Sequence, residues 1–599
     1  MAPISLSESA KTQSPSSYLY TTVASSHLGE TSAIVISSLI SYGRSTARIL
    51  ATNTGLTLKQ VRTVLVSLVQ LNCVFFWTEG KEVYYTFDDR GIQKLLYAGD
   101  IVTHIRTVYG DESAQIIQNV LENGSINVKE YLSSFSEEIK YETTAKLLKL
   151  YNDGWLHRLQ PYNYYPLEDV WNMLFQETLK ATPRSATTSE IKRVAEAKAK
   201  TKIKLNDYLS RGTDPKDVFT VEAGMQKFGP SVTVTLNLQR YEKYLRTKAL
   251  TDLANSRFGL LTSKVYEACC SLVEQNSPDL HHTYLQISGL INDPEEERAY
   301  LSSIENGLID SKRTVFNLRD VPRALSENID LRNSILTQNF LKPAKRVHIN
   351  GSASESTTKK IKLEDGSAQV VSVDNDDEEE DEGDYEADNS SAKSLSLIAE
   401  HARLLTSSAT PFLLEVSPGS YTIPYMSLHK HVKQHHLSTL VKTTLGPNAL
   451  RVLRCIMSMK LVDEKAISNS VLLKEKTVKN ELYKLTTMNL LEIQEVPRSA
   501  DRAASKTFYL FRHKAVSAYR SISDALVYDM AEILTNVAQV KSDNKILLEK
   551  CDREDVKGHE EELLLESELK MLRSLQQREL SNVGRLNRVM WLYIVFGVL

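Results

Sequence analysis

Leu71-Asn72-Cys73-Val74-Phe75, Tyr151-Asn152-Asp153-Gly154-Trp155, Glu305-Asn306-Gly307-Leu308-Ile309 and Met488-Asn489-Leu490-Leu491 are four endings of one recurring phrase. In each, a stretch with helical apolar spacing runs into an Asn, and an apolar run follows. Asn and Gly tolerate the left-handed backbone that closes a helix, so each ending predicts a C-cap followed by a strand. A chain that repeats this phrase is built from modules rather than around one continuous core.

The first module is the clearest. Residues 31–41 and 45–52 predict two helices, and Leu56-Thr57 opens a third in which Leu58, Val61, Leu65 and Leu68 form an inward stripe. Val74-Phe75-Phe76-Trp77 and Val83-Tyr84-Tyr85-Thr86-Phe87 flank a polar turn containing Gly80, which predicts a hairpin. Three helices and a hairpin make a winged helix. The second module places helices at 113–122, 128–133 and 141–152 and a strand at 155–159, while Pro161 and Pro166 disfavour a second strand there. The third places helices at 260–274, 284–290 and 295–306 and a short wing around 310–318. Its last helix starts well, because Pro294 is followed by three Glu at the positive end of the helix dipole.

In the fourth module 448–459 and 463–470 precede a helix with Val478, Leu482 and Leu485 inward. Lys476, Lys479 and Tyr483 fall on one outer face, at i, i+3 and i+7. Wing strands at 491–496 and 507–511 enclose a tip with Arg498, Arg502 and Lys506 against the single acid Asp501. A cationic helix face beside a cationic tip suits phosphates, so Lys476, Lys479, Arg498, Arg502 and Lys506 are the candidate DNA contacts. The structural alternative is a solvated face on a module used for protein contact.

A chain of 599 residues is too long for one core and predicts about four domains. Cys73, Cys269, Cys270, Cys455 and Cys551 have no paired spacing, which fits a reducing compartment and leaves no zinc ribbon. Net charge is −3, but 374–388 alone holds eleven carboxylates, so the remainder is net positive by eight. That balance is compatible with nucleic acid. Residues 1–17 lack an apolar signal core, and 591–599 are apolar but too short to span a bilayer, so they read as a buried end or a subunit contact.

Residues 180–204 carry eight Lys or Arg against two Glu and predict a basic, helical linker. A Gly-, Ser- and acid-rich stretch at 349–394 predicts disorder. At its start Lys345-Arg346 and Lys359-Lys360-Ile361-Lys362 have the spacing of a bipartite nuclear import signal, giving Lys345, Arg346, Lys359, Lys360 and Lys362 as its candidates. Beyond residue 513 the apolar period changes. Leu526 to Cys551 and Leu565 to Met590 each alternate spacings of four and three, which predicts an antiparallel helical hairpin. The expected fold is therefore mainly α: four tandem winged-helix domains plus a C-terminal antiparallel coiled-coil hairpin. The expected partition is 1–30 flexible tail, 31–98 and 99–166 winged helices, 167–244 basic linker, 245–345 winged helix, 346–395 acidic loop, 396–512 winged helix and 513–599 hairpin.

Enzymatic constellations are missing from the sequence: it has no phosphate-cradling Gly loop, no nucleophile elbow and no His-Glu-x-x-His. No catalytic, cofactor-binding or metal residue is expected. His429, His431, His435 and His436 have ligand-like density, yet with Lys430 and Lys433 among them they read better as an exposed basic patch than as a zinc site.

The order of these parts resembles the winged-helix third subunit of the RNA polymerase III-specific heterotrimer, in its fungal form. The resemblance covers nearly the whole chain and is carried by 31–87, by Phe258-Gly259-Leu260-Leu261, and by Lys474-Glu475-Lys476-Thr477-Val478 to Leu485. It implies a noncatalytic nuclear subunit seated on the polymerase clamp with two partner subunits. Such a subunit engages the initiation factor and double-stranded and melted promoter DNA, assists promoter opening for small untranslated RNAs, needs no cofactor or membrane, and is not a homo-oligomer. Three alternatives remain, of which a free DNA-binding regulator calls for one or two wings with strongly basic recognition helices. The α subunit of general transcription factor E is also winged-helix but carries a four-Cys zinc ribbon that this chain cannot supply. A scaffold subunit of a lid-type or ubiquitin-ligase complex uses winged helices for protein contact alone.

Overall fold

The computed structural model describes residues 14–182, 190–211, 215–222, 225–291, 293–332, 334–335, 394–497 and 507–599. They form two compact units, one comprising residues up to 250 with 275–308 and 425–599, the other 251–274 with 309–424.

In the first unit the recurring phrase has a common hydrogen-bond geometry. Asn72 and Asn489 adopt φ 56° and Gly154 φ 80°. The N–H of the following residue reaches back across the helix end, Cys73 to the Leu68 carbonyl at 2.8 Å, Trp155 to Leu150 at 3.0 Å and Leu490 to Leu485 at 3.0 Å. The left-handed residue itself donates to the carbonyl three back, from Asn72 to Val69 and from Asn489 to Thr486. These paired bonds satisfy carbonyls that a helix end leaves orphaned. They also turn the chain so that Cys73, Trp155 and Leu490 enter the core.

The first module contains helices Glu30–Tyr42, Ala47–Thr54 and Leu58–Gln70, the last opened by a Thr57/Gln60 capping box. Its sheet adds Ser45–Thr46 to the hairpin Val74–Glu79/Glu82–Phe87, with Glu82–Phe87 central. The fourth module repeats this plan: Pro447–Met459, Glu464–Val471 and Glu475–Thr487, with Thr507–Arg512 between Leu461–Val462 and Glu492–Pro497.

Two modules depart from the sequence expectation. In the second, Pro161–Tyr164 is a 3-10 turn, and the missing wing strand is Thr233–Leu236, which pairs with both Ile126–Asn127 and Leu156–Arg158. An inserted helical pair, Leu167–Ala181 and Glu190–Ser210, separates the wing's two strands in sequence. The basic stretch read as a linker is thus partly packed: Arg193 is buried and ties off the preceding helix by donating to the Leu179 and Thr182 carbonyls at 2.8 and 3.3 Å.

The third module lies in the second unit, and its sequence assignment needs the larger correction. Residues 284–290 form turns, and Pro294–Asp310 is one helix that runs through Asn306 and Gly307. Leu308 and Ile309 continue its helical apolar spacing, and the left-handed residue is Lys312, at φ 56°. The module is instead built from helix Leu260–Val273, strand Phe316–Asn317, the short helix Val321–Ala324 and helix Leu395–Thr406. The hairpin Leu414–Ser417/Ser420–Thr422 completes it, with Tyr421 opposite Phe316. Residues 336–393 therefore fall between its second and third helices. His401, on that third helix, is held at both ring nitrogens, 3.0 Å from Thr262 Oγ1 and 2.9 Å from Ser334 Oγ.

The C-terminal helices Ala515–Asp543 and Glu566–Tyr593 pair antiparallel within the chain, with Lys541–Glu579 at 2.6 Å and, nearer the tip, Lys550–Glu568 at 2.7 Å. Part of the stretch expected to be a flexible tail is a helix, Pro15–Leu28, capped by Ser14 and lying against Ala515–Asp543. There Tyr18 is fully buried and bonds Thr535 at 2.9 Å. A π-type turn, Ile594–Val598, follows the hairpin. Ile594 enters the core shared by the first two modules, and Phe596 enters the core of the fourth.

Candidate nucleic-acid interface

The fourth module presents its third helix on a rigid frame. Val478, Leu482 and Leu485 are buried, as the apolar spacing requires. The Asp463 carboxylate caps the second helix through the Ala466 N–H at 3.1 Å. Arg451 donates to the Val471 carbonyl at its far end, 2.8 Å away. Leu472 turns the chain in a left-handed conformation, φ 56°, with its side chain exposed. These contacts fix the angle between second and third helices, which decides what the outer face can meet.

Lys476, Lys479 and Tyr483 all lie on that outer face and are exposed. Lys479 is partly neutralised by Glu464 at 3.4 Å. Lys484, one residue beyond Tyr483, instead pairs with the buried Glu481 at 3.0 Å. Arg498, Arg502 and Lys506 lie outside the described residues; the strands on either side are paired up to Pro497 opposite Thr507. Lys345, Arg346, Lys359, Lys360 and Lys362 also lie outside them. The wing itself exposes apolar groups, Ile493, Val496, Phe508 and Tyr509. It thus offers a partner apolar contact as well as charge.

The other modules differ at the same positions. In the first, the wing is covered by its own chain: Trp77 meets the Tyr165 ring edge-on at 5.6 Å and Phe76 meets it at 5.3 Å. Its third helix is open, however, and exposes Lys59 and Arg62, with Arg48 exposed on the second helix. No single helix marks these three residues out in the sequence. The signal was their register relative to the Asn cap.

The histidine cluster is not the exposed basic patch expected from the sequence. Burial, with a smaller push from Arg246 and Lys433, lowers His429 to about 3, and burial with the neighbouring His435 lowers His436 to about 4. Only Lys430 of the two lysines is exposed. Among the described residues no group of His, Cys, Asp or Glu gathers at metal-binding distance, and no helix is long and apolar enough to cross a membrane.

Winged-helix modules sharing a chain with a terminal helical hairpin, two of them with open, cation-bearing third helices, define a multi-winged-helix protein. Family comparisons make this specific. A family described as RNA polymerase III subunit RPC82 matches residues 145–428, and its helix-turn-helix domain matches 18–79. The POLR3C C-terminal winged-helix domain matches 437–513, and the helical hairpin domain of DNA-directed RNA polymerase III subunit RPC3 matches 546–597. The chain is 54% identical to DNA-directed RNA polymerase III subunit RPC3 of Scheffersomyces stipitis over 99% of both chains. It is 53% identical to that of Debaryomyces hansenii over 98% of both. It is 36% identical to that of Saccharomyces cerevisiae, over 98% of this chain and 94% of the relative. The chain belongs to the RPC3 family of RNA polymerase III subunits.

Proposed function

We propose that this subunit is noncatalytic and works in the nucleus within a heterotrimer on the polymerase clamp. There, with two partner subunits, it engages the initiation factor, holds upstream double-stranded and melted DNA, and assists promoter opening. The observation that carries the reading is the open face of Glu475–Thr487: its inward side is filled by core, while Lys476 and Tyr483 face solvent beside an apolar wing. A cationic helix face positions a phosphate backbone, and apolar strands beside it suit a protein neighbour. In this reading Lys476, Lys479, Arg498, Arg502 and Lys506 contact DNA, and Lys345, Arg346, Lys359, Lys360 and Lys362 carry nuclear import.

The test is promoter opening by polymerase reconstituted with Arg498, Arg502 and Lys506 all changed to Ala. The expected result is a slower or incomplete bubble, read by thymine reactivity, with subunit assembly intact. Unchanged opening removes the fourth wing from the mechanism. Recovery of proteasome-lid or ubiquitin-ligase subunits, rather than polymerase subunits, with a tagged chain would overturn the whole reading.

A further inference from the structure

The first and fourth modules match without a gap from the N-cap of the second helix to the left-handed Asn. Thr46 and Asp463 cap helices of equal length, Ala47–Thr54 and Glu464–Val471. Gly55 and Leu472, both at positive φ, close them, and helices Leu58–Gln70 and Glu475–Thr487 follow. In that shared register Arg48 coincides with Lys465, Lys59 with Lys476, and Arg62 with Lys479. All six are exposed. One turn further on, each third helix exposes an apolar side chain at the same position, Val66 at 68% and Tyr483 at 73%.

The other two modules lack this pattern. In the second, Lys129 stands where the first has Arg48, but Tyr141 and Thr144 fall where it has Lys59 and Arg62, counted back from the residue after each cap, Trp155 and Cys73. In the third module the third helix starts Leu395-Ser396-Leu397-Ile398-Ala399-Glu400, with no cation at all. The pair of third-helix cations is therefore a property of two modules, not of the fold. Only the fourth pairs one of them with an acid, Lys479 with Glu464, and Ala47 takes that acid's place in the first.

We infer that the first module carries a second duplex-DNA phosphate site, formed by Arg48, Lys59 and Arg62 and equivalent to Lys465, Lys476 and Lys479 of the fourth. One cation from the second helix and two from the start of the third match the docking of a helix-turn-helix, in which the second-positioned helix enters the groove and its predecessor meets the backbone. The positive end of each third helix adds to the same attraction. This rests on the reading that the subunit contacts DNA, and deepens it by naming a second site.

The experiment measures binding of the full-length chain to a fluorescent 30-base-pair duplex of mixed sequence, from 50 to 200 mM salt. Each neutralised phosphate contributes about 0.9 to the log–log salt slope, so R48Q/K59Q/R62Q is expected to reduce the slope by about 2–3, as is K465Q/K476Q/K479Q. The charge-conserving variant R48K/K59R/R62K is expected to keep the wild-type slope; if it loses the slope too, charge is not the cause and the inference fails. K192Q/K198Q/K200Q, equal in charge change but on another helix, is expected to leave binding unaltered, and an equal loss there would reduce the effect to net charge. If only the fourth-module triple weakens binding, the second site is refuted while the DNA reading stands. If neither triple weakens it, both are refuted, and loss of binding to poly-glutamate by the first triple would then identify an acidic protein as the partner.

Discussion

Removing the Phe596 ring is expected to loosen the fourth module while leaving the first two closed. Phe596 is 4% exposed, lies 5.7 Å from the Tyr519 ring and packs with Ile522 and Leu526 in the fourth module's core. An aromatic side chain buries roughly 150–250 Å², and Phe→Ala in a core costs about 3–5 kcal/mol once the cavity is included. Ile594, two residues earlier, is 3% exposed but belongs to the core of the first two modules, where Ile→Ala costs about 2–5 kcal/mol. Amide hydrogen exchange read by peptide separates the two, because it reports the opening free energy of each region. Phe596→Ala should speed exchange in Pro447–Met459 and Glu475–Thr487, and Ile594→Ala in Glu30–Tyr42 and Leu58–Gln70. If Phe596→Ala leaves Glu475–Thr487 as protected as in the wild type, the tail is not a structural part of that core and the argument is wrong.

Three further outcomes follow from the same geometry. Gly91→Ala would place a Cβ 2.6 Å from the Asn72 carbonyl carbon and oxygen, contacts that backbone cannot easily yield, so urea unfolding should show a loss of about 1–3 kcal/mol in the first module. Asn489→Ala should cost about 1–2 kcal/mol because Ala resists the left-handed conformation, whereas Asn489→Gly should be nearly neutral; equal loss in both would mean the side chain, not the φ angle, matters. Burial, with Lys94 and Arg90 nearby, lowers His157 to about 3, so the unfolded chain takes up this proton near pH 6.5 while the folded chain does not. Its contribution is fully present above pH 6.5 and falls by up to about 1.4 kcal/mol per pH unit down to about 3; His157→Gln should flatten part of the stability profile across that window, and an unchanged profile would show that the ring is solvated.

The contiguous modules were legible in the sequence and the interrupted ones were not. Helical spacing, caps and hairpin turns are local signals, so the first and fourth modules and the terminal hairpin could be read directly. In the second module the partner of Leu156–Arg158 lies beyond two inserted helices, at Thr233–Leu236, and nothing near Arg158 announces it. In the third the second and third helices are separated by 336–393, and Asn306-Gly307 imitates a cap inside a continuing helix. The turn Ser417-Pro418-Gly419-Ser420 was a usable hairpin signal, with Gly419 at φ 76°. Of the candidate DNA contacts, Lys476 and Lys479 came from helix periodicity. Their first-module counterparts required comparing two modules in register.

The helix Pro15–Leu28 has a consequence for how the protein is made. Its buried Tyr18 meets Thr535, which follows it by 517 residues. At synthesis rates of roughly 5–20 residues per second that partner emerges about 25–100 s later. During this interval Pro15–Leu28 can pack on Glu30–Tyr42 and Asp89–Leu96, but its side toward Ala515–Asp543 has no surface to cover it, and neither does the core face that awaits Val527, Met530 and Ile594. The subunit's first modules are therefore incomplete until the hairpin arrives, which makes the nascent chain a substrate for holding chaperones and makes fragments ending before residue 515 prone to aggregate.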